Sequence, residues 1–278
     1  MPNSTIKILD IPFTTLNQKE IFDYLEENFQ SPHPKQLFLA TPNPEMLLAA
    51  QKKTHFKSTL QNTSLNLPDG NGIIWANFYH QKTHGQKNKF WLVLYGCLSL
   101  IQFLFHSKNS KKPFGKAIHG SDFTLEIIKS PLAKQGIFLL GNQHGLKSNT
   151  AELTAKKLQE THPHLKISGY VDSNPKDTTL IDKINHSQAK ILLIGFGAPH
   201  QENWIRENLS KLPHIKVAMG VGGTFDFISG ILPRAPQWMR NIGLEWVYRL
   251  LKQPKRIKRI YNAFFVFSFA IIKDRLHQ

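Results

Sequence analysis

Short apolar runs that end in a glycine- or proline-bearing loop and lead into a helically patterned stretch constrain this chain more than anything else in it. "AKILLIGFGAPHQENWIRENL" (189–209) shows the unit: four apolar residues, a tight polar loop, then a segment with one apolar face. "KQLFLATPNPEMLLAAQ" (35–51), "TSLNLPDGNGIIWANFY" (63–79), "GIFLLGNQHGLKSNTAELTAKKLQE" (136–160) and "IKVAMGVGGTFDFISG" (215–230) repeat it. Runs this short, apolar at every position, suit strands buried on both faces, and their alternation with helices predicts an α/β fold with a Rossmann-like, largely parallel sheet and flanking helices. The opening "STIKILDIPFTTLNQKEIFDYLEENF" reads as a strand, a turn and a helix capped near Thr14 or Thr15. "GKAIHGSDFTLEIIKS" reads as a short strand and a helix.

Two segments break the alternation. "FWLVLYGCLSLIQFLF" (90–105), within an atypical stretch 80–113, is apolar on nearly every helical face and is flanked by lysines on both sides. The C-terminal segment sets Arg249, Lys252, Lys255, Arg256, Lys258 and Arg259 before "FFVFSFAII". No apolar run reaches the roughly 18–20 residues of a spanning helix. Cations beside a short apolar stretch describe an element lying in a membrane interface, so 241–278 is expected to form a helical, membrane-binding appendage to a core over 1–240. The 90–105 stretch reads as a second such element, a buried core helix, or a subunit contact of a homo-oligomer.

The formal net charge of +16 calls for an anionic partner: a phosphorylated substrate, an acidic membrane or nucleic acid. Nucleic acid is disfavoured because the cations alternate with apolar runs, not with exposed stacking aromatics. Cys97 is the only cysteine, which fits a reducing compartment, and "MPNSTIKILDIPF" lacks the basic-then-apolar pattern of a signal peptide; a cytosolic location is expected.

Parallel sheets bind ligands beyond the carboxyl ends of their strands, so the loops carry the chemistry. Several end in glycine near a helix N-terminus, an arrangement suited to phosphate. None reads G-x-G-x-x-G, since "GFGAPHQ" has His200 where the third glycine belongs, and no P-loop motif occurs. There is neither an Asp-x-Asp pair nor a C-x-x-C; His80 and His84 share a helical face but have no third ligand. No metal or cofactor is expected, and a leaving diphosphate would be held by arginines such as Arg249, Arg256 and Arg259 and by helix N-termini. Asp69, in "NLPDGNGIIWA", stands between a strand and a helix, where it could cap the helix, shape the turn, or act as a base.

Taken together, "TPNPEMLLAA", "PDGNGIIWA", "GFGAPHQENWI", "GVGGTFDFISG" and "RAPQWMRNIGLEWVYRLLKQPKRIKR" resemble, over about residues 5 to 260, the WecG/TagA/CpsF glycosyltransferases (glycosyltransferase family 26), and among them the TagA type. The resemblance implies an inverting, metal-independent enzyme at the inner face of the plasma membrane. It would move an N-acetylmannosamine-type sugar from a UDP-sugar donor to N-acetylglucosamine on a polyprenyl diphosphate, in the synthesis of teichoic acid or a related surface polymer. It also implies Asp69 as catalytic base, Thr41, Asn43 and Gln201 at the sugar site, Asp226 and Tyr170 at ribose and uracil, and Arg249, Arg256 and Arg259 at the lipid diphosphate. Where the family carries an arginine before its Gly-Ser-Asp-like turn, this chain has "GKAIHGSD", so Lys116 stands in for that charge and His119 is unusual. The other readings are a glucose-type UDP-hexose transferase for capsule or exopolysaccharide, and a non-catalytic nucleotide- or polyanion-binding module.

Overall fold

The computed structural model describes residues 5–105, 117–142, 149–236, 239, 245–254 and 257–277. Its centre is a six-stranded, all-parallel sheet in the order β4-β3-β8-β7-β5-β6. The strands are β3 (Leu37–Ala40), β4 (Leu65–Asn66), β5 (Ile137–Asn142), β6 (Ile167–Ser173), β7 (Ile191–Ile194) and β8 (Val217–Gly220). Successive side chains of a strand point to opposite faces. Leu37 and Leu39 therefore join a core with Ile21, Leu25, Phe123 and Ala155, while Phe38 and Ala40 join a second core with Leu47, Phe56, Trp75 and Ile205.

Helices cover both faces. α1 (Gln18–Gln30), α6 (Gly120–Lys129), α7 (Thr150–Thr161) and α10 (Thr224–Ile228) pack on the first core. α2 (Pro44–Lys52), α3 (Thr54–Gln61), α4 (Asn71–Lys82), α8 (Leu180–His186) and α9 (His200–Asn208) pack on the second. The helices that leave the neighbouring strands β3 and β8 go to opposite faces. Such a divergence is where a parallel sheet ordinarily binds its ligand, at the carboxyl edge.

Three local expectations are corrected. The N-terminal segment is an antiparallel hairpin, β1 (Thr5–Ile8) and β2 (Ile11–Thr14), separate from the main sheet; Leu9 and Asp10 turn it with φ of 49° and 65°. α1 is capped by Asn17, in a reciprocal capping box with Glu20, and not by Thr14 or Thr15. Residues 117–119 form no strand; Ile118 N–H donates to Pro68 O at 3.0 Å and ties this loop to the end of β4.

The 90–105 stretch is helix α5 (Lys89–Phe105). Leu92, Gly96 and Ser99 make its inner face: Trp75 Nε1 donates to Ser99 Oγ (3.1 Å), and Tyr79 Oη donates to Leu92 O (3.0 Å). Gly96 lies so close to the last helix that a Cβ would meet Ile272 Cδ1 at 2.6 Å. That last helix, Phe267–His277, is set into the second core through Phe267, Ile271 and Ile272, while Phe265 and Phe269 stay exposed. Arg275 secures its end by donating from Nη2 to Thr83 O at 2.6 Å.

The C-terminal helix thus has a structural inner face and a free outer one. Phe267→Ala should lower the free energy of urea unfolding by about 3–5 kcal/mol, the usual loss for a buried phenylalanine. Phe269→Ala, on the outer face, should change it by less than about 0.5 kcal/mol. Equal effects would mean that the helix is not seated in the core.

Candidate active site

Asp69 follows the short strand β4 and is three-quarters buried, with 25% of its side chain exposed. It does not cap α4: the cap position is Gly70, with no side-chain cap bond. Gly70 has φ of +86°, a conformation that keeps the turn tight and would strain any residue with a Cβ. Asp69 Oδ1 instead meets His119 Nδ1 at 3.1 Å. An ionised carboxylate can only accept, so with Asp69 charged it is His119 Nδ1 that carries the hydrogen.

The surrounding loops are stitched together by their backbones. Leu67 N–H donates to Ala40 O at 2.8 Å and Asp69 N–H to Pro42 O at 3.3 Å, which holds the end of β4 against "TPNPE". Thr41 lies against the N-terminus of α6, where a Cβ on Gly120 would come within 2.8 Å of Thr41 Oγ1. Asn43 caps α2 by accepting from Met46 N–H at 3.0 Å. Gly72 packs between Pro44 and the Phe267 ring, and a Cβ there would stand 2.6 Å from Pro44 Cγ. Thr41, Asn43, Asp69 and His119 therefore gather at one corner of the carboxyl edge, backed by the C-terminal helix.

Two arginines brace this corner. Arg259 makes a bidentate pair with Glu45 of "TPNPE", its Nε at 3.0 and 2.9 Å from the two carboxylate oxygens and its Nη2 at 2.5 Å from Oε2. The pair joins the basic C-terminal segment to the loop carrying Thr41 and Asn43. Arg234, from "RAPQW", donates through Nη2 to Ser121 Oγ (3.0 Å) and Asp122 Oδ1 (2.6 Å). The Gly-Ser-Asp turn thus receives an arginine from a distant loop. Sequence order alone pointed only to Lys116.

Gln201 is buried and fastens two loops together. Its Oε1 accepts from Gly197 N–H and Gly222 N–H, each at 3.0 Å, and its Nε2 donates to Glu202 Oε1 at 2.7 Å. It fixes the ends of β7 and β8 relative to each other and does not reach toward Asp69. Asp226 sits in the first turn of α10, after β8, with Oδ2 near Gly223. The structure does not bring Tyr170 to this cluster. It lies three positions before the end of β6, on the edge opposite β4, five strand spacings of about 4.8 Å away. Arg249 falls in the helix Glu245–Lys252, while Lys116 and Arg256 lie outside the described residues. Among the described residues no group of three His, Cys, Asp or Glu side chains could hold a metal ion.

A sequence model described as "Glycosyl transferase WecG/TagA/CpsF family" matches residues 6–89 and 101–278. The chain belongs to this glycosyltransferase family. A Bacillus subtilis (strain 168) relative, an N-acetylglucosaminyldiphosphoundecaprenol N-acetyl-beta-D-mannosaminyltransferase, is 29% identical over 93% of this chain and 88% of its own length. A Bacillus spizizenii relative of the same name is 28% identical over 94% and 86%. One from Staphylococcus aureus (strain MRSA252) is 25% identical over 97% and 93%.

Sequence reasoning gave no role to Glu202, beside the glutamine of this family's "APHQE" segment. Its side chain is 1% exposed, Oε2 has no hydrogen-bond partner, and burial pushes its pKa from 4.5 up to about 7. A raised folded pKa makes the stabilising contribution complete below the unfolded value near 4.5; it is lost as pH rises toward and through about 7. Glu202→Gln keeps an oxygen for Gln201 and removes the titration. The variant should gain stability over wild type between pH 5 and pH 8 by up to about 3 kcal/mol, read from urea unfolding. A gap that does not change with pH would contradict this.

Proposed function

We propose that this glycosyltransferase is inverting and moves an N-acetylmannosamine-type sugar from a UDP-sugar to N-acetylglucosamine on a polyprenyl diphosphate. Its place of work would be the cytoplasmic face of the plasma membrane, in surface-polymer synthesis of the teichoic acid kind. The observation that carries the reading is the half-hidden Asp69–His119 pair at the carboxyl edge of the sheet, in a chain whose relatives are named for this transfer over nearly their full length.

The reaction needs one base and a stabilised leaving group. An acceptor hydroxyl attacks the anomeric carbon from the face opposite the nucleotide. Asp69 takes the hydroxyl proton as the new C–O bond forms, and the bond from the anomeric carbon to the diphosphate oxygen breaks with its electron pair leaving on UDP. His119 donates to Oδ1 and so leaves Oδ2 to face the hydroxyl; it positions the base. Thr41 and Asn43 line the sugar position on the adjoining loop. Asp226, in the first turn of the helix after β8, would accept from a ribose hydroxyl. Gln201 serves by fixing the two nucleotide-side loops. Arg259, held by Glu45 beside the loop of Thr41 and Asn43, would be offered to the acceptor diphosphate, a role that the sequence extends to Arg249 and Arg256, and Lys116 is the cation that precedes the Gly-Ser-Asp turn in sequence.

UDP release is the test. It should require both UDP-N-acetylmannosamine and a short polyprenyl-diphosphate-linked N-acetylglucosamine, and UDP-glucose should be turned over poorly. Efficient transfer from UDP-glucose would reassign the donor. In the same assay His119→Ala should lower kcat about ten- to a hundredfold, as for loss of a hydrogen bond to a charged group, with little change in donor KM.

A further inference from the structure

Helix α5 has an outer face that the fold does not use. Phe90 is 70% exposed, Trp91 53%, Leu98 54% and Ile101 55%, while the opposite side of the same helix is buried against α4 and the C-terminal helix. These residues sit at helical spacing on one flank, joined by the exposed Cys97. The family match runs up to residue 89 and resumes at 101, so the segment carrying Phe90, Trp91 and Leu98 is not part of the pattern that the chain shares with its family. The last helix, against which the inner face of α5 packs, leaves Phe269 exposed as well.

We infer that the outer face of α5 is a lipid-docking surface for an anionic leaflet, with Phe90 and Trp91 seated at the headgroup boundary. Charge selects this occupant. Lys82 and Lys87 precede α5 and Lys89 opens it, and between Asp69 and Asp122 the sequence contains no aspartate or glutamate. A second copy docking on this face by two-fold symmetry would set these cations against themselves. Anionic headgroups would neutralise them. The length agrees: 17 helical residues at about 1.5 Å each fall short of a hydrocarbon core about 30 Å thick, and no described helix is long and apolar enough to cross a membrane. Such a helix lies in the interface, its aromatic and aliphatic residues in the lipid and its flanking lysines at the headgroups. The surface deepens the proposed function, on which its purpose rests: it would hold the catalytic corner near a lipid-linked acceptor.

The test uses the full chain and needs no sugar chemistry. Sedimentation with vesicles of phosphatidylcholine mixed with phosphatidylglycerol should show binding that weakens in high salt and is poor with phosphatidylcholine alone. Phe90→Ser/Trp91→Ser should lower the vesicle partition coefficient at least about tenfold without changing the melting temperature. Trp91 emission, taken as the difference from Trp91→Phe, should shift to the blue on anionic vesicles. UDP release with a short, water-soluble acceptor should stay at the wild-type rate in the double variant, which separates failure of the surface from failure of the catalytic reading. Wild-type vesicle binding by the double variant would overturn the inference. So would a wild-type dimer in sedimentation velocity that the double variant loses, since that assigns the face to a second copy.

Discussion

The two-sided burial of the parallel sheet is the constraint on which the rest depends. Strands such as Ile191–Ile194 and Val217–Gly220 have every position buried. A strand of that kind is stable only with helices on both faces, which commits the main chain to right-handed crossovers and leaves the strand ends as the place where loops can face solvent. The site follows from this. "TPNPE", "PDG" and "HGSD" are far apart in sequence, yet they meet because β3 and β4 are neighbours and the loop before α6 is bonded to the end of β4.

That part of the fold was legible because it rests on local pattern. Apolar runs of fixed length and alternating helical faces are written into consecutive residues, and β3, α2, β5, α7, β7 and α9 stand where those patterns put them. What was not legible depends on distant partners. Asp69 looks the same in sequence whether it caps α4 or turns toward His119, and only the approach of residues 117–119 decides between them. Arg234 pairs with the Gly-Ser-Asp turn from more than a hundred positions away. Glu202 gives no sequence signal of burial, since glutamate on a short helix is ordinarily exposed. Tyr170 depends on strand order in the same way: its motif gives no hint that it stands on the sheet edge away from Asp69.

The two apolar segments make one structural point. Neither is purely core nor purely interface. α5 and the C-terminal helix each bury one flank against the other and against α4, and each leaves aromatic residues on its other flank. This explains why 90–105 is apolar on nearly every side, a pattern that no simple amphipathic reading accommodates. It also joins the outer surface to the candidate site, since Phe267 packs at Gly72 and Arg259 pairs with Glu45. The residues that would meet lipid and those that would meet sugar are therefore joined through the C-terminal helix.

Everything proposed for the reaction turns on Asp69 removing the acceptor proton. Asp69→Asn tests it most directly, because asparagine keeps an Oδ1 to accept from His119 and changes little but the ability to take a proton. The measurement is kcat for UDP release with a lipid-linked acceptor, alongside donor affinity and melting temperature. With Asp69 as the base, kcat falls about 10²–10⁴-fold while donor affinity and melting temperature stay unchanged. Transfer at the wild-type rate would contradict it.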